Sequence, residues 1–177
     1  MINLRGNFQD GDVNACNFIF LSQAEHELVR SWRNNENIRK WLYTEHIISS
    51  EEHQGFVKNL GYENRNYYWL IKRDEQYLGV ICLNRVDLSN KNAYLGIYTD
   101  PDTSEKGLGT VLGKMLLYLA FNVLKLHTLK LEVLEENQRA INLYKKIGFK
   151  NEGKLEEFII KGGCWKNVII MGMVNNE

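Results

Sequence analysis

The sequence of 177 residues holds a single proline, three cysteines, no surplus of charge of either sign and no long apolar run. Each scarcity excludes a class of protein. One proline leaves no polyproline stretch or proline-rich linker, and no repeat or low-complexity tract marks a boundary, so residues 1–177 are expected to form one domain. Cys16, Cys82 and Cys164 lie too far apart for a Cys-x-x-Cys metal pair, and an odd count closes no disulfide framework. All three are read as reduced and structural, with no metal site. No segment reaches the ~18–20 apolar residues of a spanning helix, and Met1-Ile2-Asn3-Leu4-Arg5-Gly6 lacks the apolar core of a secretory signal. A cytoplasmic chain with no membrane partner is the expectation. Twenty-two basic side chains are balanced by 22 acidic ones, which argues against a nucleic-acid partner. A small local phosphate site remains compatible with neutrality.

What is present is a chain with 44% hydrophobic and 25% charged residues, enough for a substantial core. An apolar run over 13–21 reads as a strand. Ser22 with Glu25 reads as a capping box opening a helix to Asn34, and a short second helix is expected over 38–43. Ser49 or Ser50, followed by Glu51 and Glu52, opens a third helix carrying Phe56, Val57 and Leu60 on one side. From Tyr67 the pattern changes to β-branched and aromatic runs over 67–72, 77–86 and 92–99, joined by short polar turns, as in an antiparallel meander. Leu108, Val111, Leu112, Met115, Leu116, Leu119, Ala120, Val123 and Leu124 then fall on one helical face. A buried strand over 128–134, a helix over 138–147 closed by Gly148, and a hairpin of 149–160 with 165–174 turned at Gly162-Gly163 complete the chain. A meander followed by alternating strands and helices predicts an α/β fold, with a mixed, mostly antiparallel central sheet of about seven strands flanked by helices.

Gly107-Leu108-Gly109 precedes the long amphipathic helix, so the backbone amides of Gly107, Leu108, Gly109 and Thr110 can converge on an anion at its positive end. Around it Lys106, Lys114, Lys125 and Lys130 outnumber Glu105, which suits a phosphate. A Walker loop is excluded because position 108 is Leu and Gly113-Lys114 is followed by Met115. A dinucleotide fingerprint ranks low, because the loop follows a meander rather than opening a βαβ unit.

The strand Tyr94-Leu95-Gly96-Ile97-Tyr98, the Gly loop, Leu131-Glu132-Val133-Leu134-Glu135-Glu136-Asn137, Ala140-Ile141-Asn142-Leu143-Tyr144 and Ile147-Gly148-Phe149 together resemble the GNAT acetyltransferases over residues 92–150. The resemblance implies acetyl-CoA as donor, with its pyrophosphate on the Gly loop and Lys106, its pantetheine arm along Leu95 to Ile97, and Asn137 and Tyr144 near the thioester. Ser104 departs from the family, which usually has Gln or Arg three residues before the first Gly. The N-terminal Ser31-Trp32-Arg33-Asn34, Arg39-Lys40-Trp41-Leu42-Tyr43 and Glu52-His53 through Phe56 resemble the branch that acetylates the 4-amino group of a UDP-linked 4-amino-4,6-dideoxy-N-acetyl-altrosamine in pseudaminic acid biosynthesis, which leads to flagellin glycosylation. Ribosomal-protein N-terminal acetyltransferases share this style of N-terminus. Protein N-terminal or polyamine acetylation is therefore the alternative, and a non-catalytic acetyl-CoA-binding module a third.

Acetyl transfer needs a neutral amine, a donor for the carbonyl oxygen and an acid for the leaving thiolate. Tyr144 is the candidate acid, although Ala140, Ile141, Tyr144 and Ile147 also read as a packing face. Glu132 interrupts an apolar strand on the face opposite Leu131 and Val133 and is the candidate base, acting directly or through water; a surface-facing strand residue is the plainer reading. The backbone N–H groups of Leu95 or Ile97 are candidates to polarise the acetyl carbonyl, with Gly96 easing close approach, and Asn84 is a minor candidate in the same pocket. The resemblance further implies Leu42, Tyr43, Phe56 and Tyr94 as apolar surface for a 6-deoxy sugar, and Arg33 and His53 as contacts for its UDP. A monomer or homodimer is expected.

Overall fold

Short polar side chains set where the helices start. In the computed structural model, which describes residues 4–176, Ser22 accepts from the Glu25 amide while the Glu25 carboxylate accepts from the Ser22 amide, and Ser49 and Glu52 do the same. These reciprocal caps satisfy first-turn amides that have no intrahelical acceptor. They open α1 (Gln23–Asn34) and α3 (Ser50–Leu60), as the sequence predicts. The helix expected over 38–43 instead forms earlier as α2 (Glu36–Arg39), because the Asn35 side chain caps the Asn37 amide. Residues 40–48 are left as an irregular loop.

The strands are β1 (Phe8–Asp10), β2 (Val13–Asn17), β3 (Tyr67–Arg73), β4 (Gln76–Asp87), β5 (Asn92–Thr99), β6 (Thr128–Leu134), β7 (Lys150–Lys161) and β8 (Cys164–Val174). They form an eight-stranded sheet in the order β1-β2-β3-β4-β5-β6-β8-β7, antiparallel except for β5 beside β6. The expected count was one short: β1 spans only three residues, too few for an alternation to be read, and pairs with β2 across a turn where Gly11 has φ +58°. The strand expected over 13–21 stops at Asn17 and passes into a 3₁₀ turn, Phe18–Phe20, which the Asn17 side chain caps.

Between β5 and β6 lies α4 (Leu108–Leu117), and between β6 and β7 lies α5 (Gln138–Lys146). The apolar stripe expected as one helix to Leu124 changes pitch after Leu117. Residues Tyr118–Val123 form a π-helical segment, in which the Leu124 amide reaches the Leu119 carbonyl at 2.9 Å. A wider turn keeps the same side chains facing the sheet, so the stripe alone does not reveal it. Leu112, Met115, Leu116 and Leu119 pack on one face of the sheet against Ile81, Leu83, Leu129 and Met171. The other face is covered by Phe18, Val29, Trp32 and Leu60, which lie on Leu70 and Val80. Burial of each such Leu, Ile, Val, Phe or Met contributes roughly 1.5–3 kcal/mol. Among the described residues no helix is long and apolar enough to cross a membrane.

One irregularity of the sheet positions the site. β5 pairs with β6 only across Asn92, Ala93 and Tyr94, opposite Thr128, Leu129 and Lys130, while β6 stays paired with β8 along its whole length. From Leu95 onward β5 follows β4, and a gap opens on its other side.

Candidate active site

Strand periodicity sends every second backbone amide of β5 away from β4, so beyond Tyr94 these amides open onto the gap rather than onto a neighbouring strand. Leu95 and Ile97, two positions apart, share one direction along this edge. At Gly96 a Cβ would lie 2.8 Å from Cys82 Sγ on the paired strand, so a packed thiol, and not only the approach of a ligand, requires glycine. Asn84 Nδ2 donates to Cys82 Sγ at 3.3 Å, and burial pushes the Cys82 thiol up to about 11, which leaves it protonated and inert.

The glycine loop leads into α4 at the same end of the gap. Gly107, the N-cap, has φ +89° and no side-chain cap, and a Cβ there would meet no atom within 4 Å. The first-turn amides of Leu108 and Gly109 have no carbonyl one turn back to receive them, which leaves donors at the positive end of the helix. The expected set narrows here: the Thr110 amide is held by the Gly107 carbonyl at 2.9 Å, so this residue has its hydroxyl, not its amide, to offer. Gly109 and Gly113 serve packing, since a Cβ at either would press within 2.8 Å of Leu143 or Ile147. The local excess of lysines is smaller than the sequence suggests, because Lys130 on β6 is paired with Glu152 while Lys106 lies exposed beside the loop. Glu105 pairs with Arg73 at 3.3 Å and anchors the loop to the β3–β4 turn. An open helix N-terminus without a side-chain cap, at the mouth of a gap edged by unpaired strand backbone, fits a ligand that has a phosphate at one end and an extended arm. Gly107, Leu108, Gly109, Thr110 and Lys106 would hold the phosphates, with Leu95 and Ile97 along the arm.

Asn137 caps α5 by accepting from the Ala140 amide at 3.1 Å, so its side chain already has a structural duty. One and two turns further, Ile141 and Tyr144 are buried. The Tyr144 ring meets Phe149 edge-on at 5.9 Å, and among the described residues its hydroxyl has no hydrogen-bond partner. Burial raises its pKa above the ordinary phenol range, so the hydroxyl keeps its proton. Packing face and proton donor are therefore compatible descriptions of one side chain.

Glu132 lies half-buried on the other face of β6 from Leu131 and Val133, as alternation requires. Its Oε2 accepts from the Tyr43 hydroxyl at 2.8 Å, and its Oε1 lies 3.3 Å from Arg85 Nη1. Arg85 in turn lies over the Tyr94 ring, 4.8 Å from its centre. Tyr43, Tyr94 and Glu132, separated by up to 89 positions, thus meet at one place, with Arg85 as a member that the sequence did not single out. Burial and Glu132 together push the Tyr43 phenol above its usual range. Leu42 is half-buried, and its carbonyl accepts from Lys161 Nζ at 2.6 Å, which ties the 40–48 loop to the end of β7. Phe56 stands edge-on to Tyr68 at 5.0 Å, on the same side of the sheet as Asn84.

Two expectations for a UDP group part company here. His53 is 7% exposed, and its ring packs against Phe18, His26 and Phe56 at 5.9–6.5 Å. Desolvation and the neighbouring His26 and Arg30 push its pKa down to about 4, so it is neutral at pH 7 and has no charge to offer a phosphate. Arg33 is buried enough for desolvation to lower its pKa, and among the described residues its Nη1 has no hydrogen-bond partner. Arg39 Nε is likewise buried without a partner among the described residues. Lys161, with its pKa lowered first by burial, completes a group of three cations whose charges act on one another, with Glu45 at 3.9 Å as counter-charge. A sequence signal for this group was absent, since Arg33 and Lys161 are brought together only by the docking of the hairpin on the 40–48 loop.

A family model described as an acetyltransferase (GNAT) domain matches residues 19–150. Among curated proteins, acetyltransferase PseH of Campylobacter jejuni is 38% identical over 137 residues, covering 77% of this chain and 84% of that protein. A spermidine N(1)-acetyltransferase of Escherichia coli is 28% identical over 157 residues, 89% of this chain and 84% of that protein. Among solved structures, C. jejuni N-acetyltransferase PseH in complex with acetyl coenzyme A superposes with a TM-score of 0.73 at 27% identity, covering 93% of this chain and 99% of that one.

Proposed function

The chain belongs to the GNAT acetyltransferase family and is an acetyl-CoA-dependent N-acetyltransferase; from that premise we propose that it acetylates the 4-amino group of a UDP-linked 4-amino-4,6-dideoxy-N-acetyl-altrosamine in pseudaminic acid biosynthesis, in the cytoplasm and ahead of flagellin glycosylation. The observation that carries this choice of acceptor is the group Arg33, Arg39 and Lys161, with two buried guanidinium N–H groups that have no partner among the described residues. Buried donors without acceptors are costly, and an anionic acceptor relieves that cost whereas a polyamine adds repulsion.

Acetyl-CoA supplies the acetyl group as an activated thioester. The chain's own groups supply the rest. Glu132 takes the proton of the acceptor amine, directly or through water, from a carboxylate oriented by Tyr43 and Arg85. The amides of Leu95 and Ile97 donate to the acetyl carbonyl oxygen as it gains charge. Tyr144, which burial keeps protonated, donates to the departing sulfur. Leu42, Tyr43, Phe56 and Tyr94 form the apolar side of the acceptor groove, with Asn84 at its floor.

Following thiol release with acetyl-CoA and a panel of acceptors tests the reading. Turnover of the UDP-4-amino-sugar is expected to exceed that of spermidine and of ribosomal N-terminal peptides, and preference for either of these would overturn it. Tyr144→Phe keeps the ring against Phe149; its turnover should fall about 100-fold with acetyl-CoA affinity retained.

A further inference from the structure

Both oxygens of Glu132 are engaged, and the group that engages the second one is held in an unusual backbone conformation. Arg85 has φ +53°, in the bulge where β4 shifts register against β5 between Asn84 and Asp87. Left-handed backbone is unfavourable for a non-glycine residue, and here the bulge is braced by the Arg85 amide donating to Asn66 Oδ1 at 3.1 Å. The conformation aims the side chain across the sheet, so that the guanidinium covers Tyr94 and reaches Glu132. The Arg85 side chain is 61% exposed and that of Glu132 only 17%, so the cation stands on the solvent side of the carboxylate.

We propose that Arg85 is a charge-selectivity residue: paired with Glu132 over Tyr94, it denies the carboxylate to polycationic amines and keeps the groove for an acceptor with one amine and an anionic remainder. The proposal rests on the reading of this groove as the acceptor side. A polyamine entering it meets Arg85 before Glu132, and its far ammonium groups approach Arg33, Arg39 and Lys161. Selectivity of this kind comes from repulsion of the wrong ligand as much as from attraction of the right one.

The test is spermidine binding to the full chain loaded with CoA, measured by calorimetry, with butylamine as the singly charged control. Arg85→Gln is expected to tighten spermidine about three- to tenfold over wild type and to leave butylamine nearly unchanged, with the gain fading at high salt. Arg85→Lys, which keeps the charge, should behave as wild type. Tyr43→Phe, which removes a neutral donor and leaves the ion pair, should show no gain. In Arg85→Gln/Glu132→Gln the gain should vanish. Spermidine affinity unchanged by Arg85→Gln, immeasurable in both proteins, or raised equally by Arg85→Lys overturns the proposal. Binding is read without turnover, so a chain that fails to acetylate the nucleotide sugar still decides the role of Arg85.

Discussion

Burial of His53 among Phe18, His26 and Phe56 converts a polar side chain of α3 into part of a core, and this has a consequence in pH. Its folded pKa of about 4 lies below the ordinary value of 6.5. Between those two values the unfolded chain binds a proton that the folded chain does not. The contribution of a neutral His53 is therefore full above pH 6.5 and declines as pH falls towards 4, by at most about 3 kcal/mol. Urea unfolding from pH 7.5 to 4 should show wild type losing stability more steeply than His53→Leu, and parallel curves would contradict this. The sequence shows a histidine one turn into a helix, beside glutamates. Whether that position faces water or Phe18 depends on where the helix docks, which no local pattern records. Glu132 teaches the same lesson in the other direction: alternation assigned its face correctly, but Tyr43 and Arg85 arrive from a loop and a bulge.

At the scale of elements, helix starts and strand runs were legible because they depend on neighbours in sequence. Ser22 with Glu25, Ser49 with Glu52, and the strand Thr128–Leu134 all lie where the pattern puts them. The departures have local causes that a hydrophobic pattern does not carry, such as the Asn35 cap that draws α2 forward and the change of pitch after Leu117. The Gly loop separates two roles that share one residue type. Gly107→Ala adds a methyl group that meets no protein atom but strains a backbone at φ +89°. Calorimetry should show acetyl-CoA binding weakened about tenfold, with a stability loss of only ~1 kcal/mol. Gly109→Ala drives a Cβ to 2.8 Å from Leu143 and should instead lose about 1–3 kcal/mol of stability, read by urea unfolding. Equal effects of the two variants on binding and stability would show that the loop does not divide its work in this way.

For the whole molecule, the gap between β5 and β6 is the feature on which the proposed donor binding rests, and it joins parts distant in sequence. A ligand seated there stabilises the folded state by about 2.7 kcal/mol when present at 100 times its dissociation constant. Hydrogen exchange with and without acetyl-CoA should slow at residues 95–99 and 107–109, where amides face the gap or the open end of α4, and change little in β1 and β2. Uniform slowing across the sheet would argue against the gap as the binding place. The sequence by itself determined the meander, the capped helices, the glycine loop, the balance of charges, and the place of Tyr144 on the helix after Asn137, because all of these follow from spacing and side-chain chemistry within a short span of chain. Only the tertiary structure decided that β5 leaves β6 at Leu95, that His53 is neutral, that Arg33 Nη1 has no partner among the described residues, and that Arg85 stands over Tyr94 against Glu132. Those outcomes depend on which strands pair and which loops dock, and so on contacts between residues tens of positions apart.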